Sequence, residues 1–180
     1  MDSGNLAWYI TATALVLVMT PGVAFFYGGL VRAKSVVSMM MLSFGAMGVV
    51  GVLWICYGFN LQNVSTGWIG VMGDPFTNFA LADTIASPGA NDQLVGVAYG
   101  ATFAIITVAL ITGAIADRAK FGAWMLFAAL FATVDYFVVA GWVWNPDGWI
   151  ARLGQDLGLK ASVIDYAGGT AVHINAGAAA

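Results

Sequence analysis

A chain of 180 residues that is 61% hydrophobic and 8% charged, with a mean hydropathy of +0.86, is not a soluble domain, because runs of about twenty apolar residues with almost no charge are membrane spans. Six basic residues lie scattered in pairs and singles against nine acids, all aspartates, so no basic patch exists for nucleic acid. One cysteine, Cys56, sits inside an apolar run; it excludes an internal disulfide, leaves a metal or redox motif without partners, and reads as lipid-facing or packed filler.

The opening Met1-Asp-Ser-Gly-Asn5 carries an acid and no base, unlike the positive start of a secretory signal, so the first helix is expected to stay. The first span covers residues 6–30, with Pro21-Gly22 predicting a kink or local unwinding. Arg32 and Lys34 mark a short connector. The second span runs over 36–57, where Gly45, Gly48 and Gly51 allow close helix approach and Trp54 and Tyr57 mark its far interface. Residues 59–92 read as a long connection without Lys or Arg, holding Asp74, Asp83 and Asp92. Asn63-Val-Ser65 has the spacing of a glycosylation acceptor and is taken as a chance match.

The third span is 94–116, on which Tyr99, Phe103 and Thr107 share one face beside Gly96 and Gly100. Such a stripe reads either as packing or as a binding surface. Asp117-Arg-Ala-Lys120 is the next turn, and the fourth span is 121–144. Asp135 within it would be protonated, paired or capping a break, and is held as structural. The connector 145–164 carries Asp147, Arg152, Asp156 and Lys160. Trp142, Trp144 and Trp149 at its start fit an aromatic belt. Arg32 with Lys34 and Arg118 with Lys120 lie in the two short loops, which places those loops in the cytoplasm and the N-terminus outside.

The last sixteen residues, 165–180, hold the only histidine, His173. Asp165 stands where an N-cap would, and His173 lies eight residues further on, roughly 12 Å down a helix. The bilayer's hydrocarbon core is about 30 Å thick, so the imidazole falls near its middle third. Small residues surround it: Gly169, Thr170, Ala176, Gly177 and Ala180. Either they let another helix pack closely while the histidine bonds across, or they leave a lumen that the imidazole lines. The fifth span, 166–180, is about 22 Å long and is expected to be incomplete, the front part of a longer protein.

Three stretches carry a resemblance to a known family. They are Thr-Pro-Gly-Val-Ala-Phe-Phe-Tyr-Gly-Gly-Leu-Val-Arg at 20–32, Gly-Ala-Ile-Ala-Asp-Arg at 113–118, and Asp-Tyr-Ala-Gly-Gly-Thr-Ala-Val-His-Ile-Asn-Ala-Gly at 165–177. The chain resembles the ammonium transporters (the Amt/Mep/Rh family) from end to end, and looks like the first five helices of an eleven-helix member. The resemblance implies an all-α membrane protein in which five transmembrane helices form the first of two inverted repeats. It also implies a homotrimer with one pore per subunit, a multi-pass place in the cell membrane, a possible cytoplasmic PII-type regulator, and no enzyme activity, cofactor or metal.

By position, Phe103 matches the family's gate phenylalanine and Tyr99 an aromatic one turn above it. Trp144 matches the tryptophan of the outer recruitment site, Asp165 the aspartate that holds that site together, and His173 the first of the paired pore histidines. The chemistry suits these types. Ammonium is a compact cation that aromatic faces attract by about 0.5–2 kcal/mol each, while a bare cation in hydrocarbon costs many kcal/mol. A lumen closed by Phe103 would favour deprotonation, with ammonia passing His173, whose ring titrates near physiological pH. Potassium has no proton to give up.

The chain departs from the family's Tyr-x-Pro-x-Ala-His-x-x-Trp pattern, having Val138 and Gly141 for the proline and histidine, and Trp142 is a second candidate for the tryptophan. Other readings are an ammonium sensor with the same fold, an inactive fragment, and a membrane enzyme subunit using His173 as a haem or metal ligand.

Overall fold

Apolar runs in lipid must satisfy their own backbone, and in this chain every long run does so as a helix. The computed structural model describes residues 1–67, 71–159 and 162–180, and among the described residues there is no strand. Lys160 lies outside the described residues. Helix α1 is Ser3–Leu30, α2 Ala33–Gln62, α3 Ala82–Ala86, α4 Ala90–Ile115, α5 residues 121–144, α6 Trp149–Asp156 and α7 residues 169–179. Among the described residues four helices are long and apolar enough to cross a membrane, beginning at Ser3, Ala33, Ala90 and Phe121. They run up and down, so that one end of the bundle collects the starts of α1, α4 and α7 and the ends of α2 and α5.

Several expected boundaries move. The chain does not unwind at Pro21, since α1 continues through it from Ser3 to Leu30; the ring removes one N–H and leaves its neighbours' bonds in place. Asp2 starts that helix by accepting from the Asn5 N–H at 2.9 Å, a bond that holds its carboxyl below the ordinary carboxylate range. The second helix extends past 57 to Gln62, and the third begins at Ala90 rather than 94. The connector 145–164 contains α6, whose Arg152 and Asp156 pair at 3.5 Å on an exposed face. Asn63 and Ser65 have a structural task. Asn145 donates to the Asn63 side chain at 3.2 Å, and the Ser65 hydroxyl donates to Asp147 at 2.6 Å.

Helix α4 forms the middle of the bundle, packed on α1, α2 and α7, and residues 104–109 along it are all buried. Two indoles tie the long helices crosswise: Trp54 Nε1 donates to the Val97 carbonyl at 2.9 Å and Trp124 Nε1 to the Leu42 carbonyl at 2.8 Å. Interhelical bonds of this kind are worth on the order of 0.6 kcal/mol in a membrane.

Both α2 and α5 carry a π turn, at Trp54–Gly58 and Ala132–Tyr136, and the two turns meet. The Thr133 hydroxyl donates to its own Ala129 carbonyl, so the Tyr57 hydroxyl, 2.8 Å away, donates to Thr133. Phe137 sits in the notch, edge-on to Trp54 at 5.6 Å and to Tyr57 at 6.2 Å. Gly58 makes the notch, for a Cβ there would stand 2.6 Å from the Phe137 ring.

Gly58→Val should therefore force Phe137 out of its seat. The expected loss is about 1–3 kcal/mol, read as a lower melting temperature of purified protein in detergent. An unchanged melt would show that the two π turns do not depend on this contact.

Candidate functional site

The start of α7 is built around one carboxylate. Asp165 Oδ1 accepts from the Gly168 N–H at 2.7 Å, and Oδ2 accepts from Thr170 and Ala171 N–H, each at 3.0 Å. The cap position itself is Gly168, so Asp165 reaches it from three residues upstream rather than occupying it. Only glycine fits at 168: its φ is +78°, and a Cβ would lie 2.5 Å from Val172 Cγ2.

The helix opens as a π turn over Gly169–Ile174, and the Gly168 carbonyl receives two bonds from His173, one from its backbone N–H at 2.9 Å and one from Nδ1 at 3.0 Å. A carbonyl only accepts, so Nδ1 carries the proton there, and in the neutral ring Nε2 keeps its lone pair. The π register also corrects the neighbours expected from a 3.6-residue period. The imidazole bonds the Gly168 carbonyl, one residue beyond the Gly169 expected on its face.

Asp165 has a second job through its main chain. Trp144 Nε1 donates to the Asp165 carbonyl at 3.1 Å, joining the end of α5 to the start of α7. From Trp144 a ladder of edge-to-face rings runs back across the bundle. Phe103 lies 5.6 Å from Trp144, Tyr99 4.9 Å from Phe103, and Tyr9 of α1 5.4 Å from Tyr99. Each such pair contributes roughly 0.5–1.5 kcal/mol beyond its buried area. The Tyr99, Phe103 and Trp144 rings border a cavity of about 290 Å³ that Gln62, Gly96, Gly100, Asp165 and Tyr166 also line. This cup is walled by aromatic rings, one carboxylate and the C-terminal end of α2.

Four of the residues singled out in the sequence thus come together, namely Tyr99, Phe103, Trp144 and Asp165. His173 does not line the cup, and is joined to it through Gly168. Its side is exposed in the bundle, while Ala171, Val172 and Ala176 on the opposite side of α7 are buried. Trp142 points elsewhere, donating to the Val71 carbonyl at 2.8 Å and meeting Trp149 edge-on at 5.7 Å. Asp135 is neither ion-paired nor bonded through Oδ1, which is buried without a partner among the described residues. The local irregularity expected beside it is the π turn Ala132–Tyr136.

Sequence reasoning missed Tyr9, Gln62 and Tyr166 in and around the cup. Each sits at the end of a span, where a single polar or aromatic residue carries no periodic signal. Tyr136, wholly buried and with its hydroxyl unpartnered among the described residues, was equally silent. Among the described residues no three His, Cys or Asp side chains gather as a metal site.

Comparison with known proteins points to one family. The Ammonium Transporter Family profile matches residues 7–180. An ammonium transporter of Mycobacterium tuberculosis is 52% identical across 99% of this chain and 41% of its own length. Ammonium transporter Amt1 of Archaeoglobus fulgidus is 40% identical across 100% of this chain and 42% of its own length. The crystal structure of Candida albicans Mep2 superposes with a TM-score of 0.82 at 32% identity, covering 98% of this chain and 37% of that one. The chain therefore spans about two fifths of the length of the relatives it matches.

Asp165→Ala should free the three amide N–H groups it now caps and loosen α7. Bonds from backbone N–H to a carboxylate are worth about 1.5–3 kcal/mol each, so the loss should reach about 2 kcal/mol or more. Hydrogen exchange at the Thr170 and Ala171 amides is the measurement. The expected result is faster exchange there with the amides of α2 unaffected; protection equal to the unaltered protein would rule the cap out.

Proposed function

The chain belongs to the ammonium transporter family, and from that membership we propose that it forms one half of a pore that recruits ammonium at the cup and passes ammonia beyond it. The observation that carries this reading is the link between cup and imidazole. Asp165 holds Trp144 with its carbonyl and the α7 start with its carboxylate, and α7 carries His173. Recruitment and conduction groups are placed by the same residue.

On this reading the cup faces the outer side, with the N-terminus also outside. An arriving ammonium ion meets the faces of Tyr99, Phe103 and Trp144, each contributing about 0.5–2 kcal/mol of cation–π attraction. The Asp165 carboxylate, turned toward its three amides, adds negative potential without offering a free oxygen to the ion. Phe103 stands at the floor of the cup against Trp144, so water and charge meet an apolar constriction there. Crossing it favours loss of the proton, because a neutral guest avoids the desolvation penalty of the cation. Beyond the floor, His173 offers the Nε2 lone pair to the hydrogens of ammonia, since Nδ1–H is engaged by Gly168. A second, inverted half would close the pore over the exposed side of α7, and three such subunits would assemble in the cell membrane.

The test is uptake in cells lacking their own ammonium transporters, expressing the complete coding sequence. Trp144→Leu removes one cation–π face and should raise the KM for methylammonium about 2- to 30-fold, with the maximal rate little changed. His173→Ala should do the reverse, lowering the maximal rate with KM nearly constant. If both variants transport like the unaltered protein, the reading is wrong.

A further inference from the structure

We propose that Gln62 is a substrate-contacting residue of the cup, its side-chain amide oxygen accepting a hydrogen bond from the bound ammonium ion. The inference rests on the reading of the cup as the recruitment site. Ammonium presents four N–H donors, and ring faces supply negative potential but no lone pair. Apart from the Tyr99 and Tyr166 hydroxyls, the other polar side-chain groups of the cup are engaged elsewhere. Trp144 Nε1 is a donor given to the Asp165 carbonyl, and both Asp165 carboxylate oxygens accept from backbone amides. A cation in the cup is therefore served best by a neutral acceptor stronger than a phenol oxygen, and a side-chain amide oxygen is one.

Gln62 fills that need by placement. It is the last residue of α2 and lines the cavity with Tyr99, Phe103 and Trp144. Its main-chain carbonyl is turned to α5, lying 2.7 Å from where a Cβ on Gly141 would stand. The side chain is thus the part left to face the cavity. Neighbouring amide and indole groups have partners, Asn60 on the Pro75 carbonyl, Trp142 on the Val71 carbonyl and Asn145 on Asn63. The Gln62 amide pairs with no described residue. The end of a 30-residue helix also carries a partial negative charge of about half a unit, which favours a cation at this spot.

An amide oxygen differs from a ring face in what it discriminates. It is directional, so it rewards an N–H pointed at it, and each methyl group added to the guest removes one of the four N–H donors that could meet it. Gln62 should therefore bear on the ratio of ammonium to methylated ammonium affinity more than Trp144 does, because a π face accepts either.

The experiment compares Gln62→Leu, Gln62→Glu and Trp144→Leu in the complete protein, with methylammonium uptake and ammonium competition as readouts and surface expression measured for each. Gln62→Leu should raise the KM for ammonium about fivefold or more, with the maximal rate per expressed protein within about twofold. Gln62→Glu, nearly the same shape, should lower that KM and make uptake sensitive to potassium. Should Gln62→Leu fail to reach the membrane, Gln62→Glu decides alone: unchanged KM and unchanged potassium response overturn the inference. A KM shift in Trp144→Leu with none in either Gln62 variant overturns this inference and leaves the cup standing. No shift in any of the three removes the cup reading as well.

Discussion

The structure turns on a single carboxylate and the carbonyl beside it. Asp165 gathers the Gly168, Thr170 and Ala171 amides, and through its own carbonyl it fixes the Trp144 indole. A helix starting inside a membrane protein exposes amide N–H groups that no nearby water can satisfy, so some acceptor must supply them. Using a charged one adds the helix-dipole attraction and makes the bonds roughly twice as strong as neutral ones. Using the same residue's carbonyl for Trp144 makes the ring's position a consequence of the helix start. Displacing either end shifts the other.

Regular helices would serve this site poorly, and the chain departs from them at three places around it. The π turns Trp54–Gly58 and Ala132–Tyr136 each insert one residue into a helix that continues on both sides, and Gly169–Ile174 opens α7. Such bulges rotate everything beyond them by a fraction of a turn at little cost, because the neighbouring bonds persist. In α2 and α5 the rotation brings Tyr57 onto Thr133 and seats Phe137 under Gly58. In α7 it lets the Gly168 carbonyl accept from both nitrogen donors of His173. Trp144 and Gln62 lie just beyond two of these turns, so the cup inherits its geometry from them.

What could be read in the sequence follows the strength of each physical signal. The four long helices announce themselves through twenty or more apolar residues, a pattern that nothing soluble tolerates. Tyr99 and Phe103 share a face because they are four apart on a helix that stays regular, and the motif around Asp165 fixes its place by resemblance. The misses have equally plain causes. A π turn leaves no mark on hydropathy, so the bond from the His173 ring to the Gly168 carbonyl could not be read from the sequence. Helix α6 is eight residues of mixed polarity in a polar connector, which composition alone reads as loop. Pro21 breaks helices in water more readily than in a bundle whose other residues all demand the helical ladder. Trp142 and Trp144 are two apart and indistinguishable by composition. Only the direction of α5 at its end separates the one that reaches Val71 from the one that reaches Asp165.

The small residues around His173 admitted two readings, close helix packing or a clear path, and the two faces of α7 divide them. Ala171, Val172 and Ala176 are buried against α4 and α5, where absent side-chain bulk lets backbones approach. His173, Ile174 and Gly177 occupy the other face, which the described residues leave exposed. An imidazole cannot stay against hydrocarbon at low cost. With Nδ1 bonded to Gly168, the Nε2 lone pair still needs a donor, and an unmet polar atom in lipid costs several kcal/mol. Something polar must therefore meet that face in the membrane, whether a guest with N–H groups, water or a polar side chain. Gly177 and the small residues around it leave room for such a partner beside the ring. The same sequence run that packs tightly on one side is thus obliged, by one nitrogen, to keep company with a hydrogen-bond donor on the other.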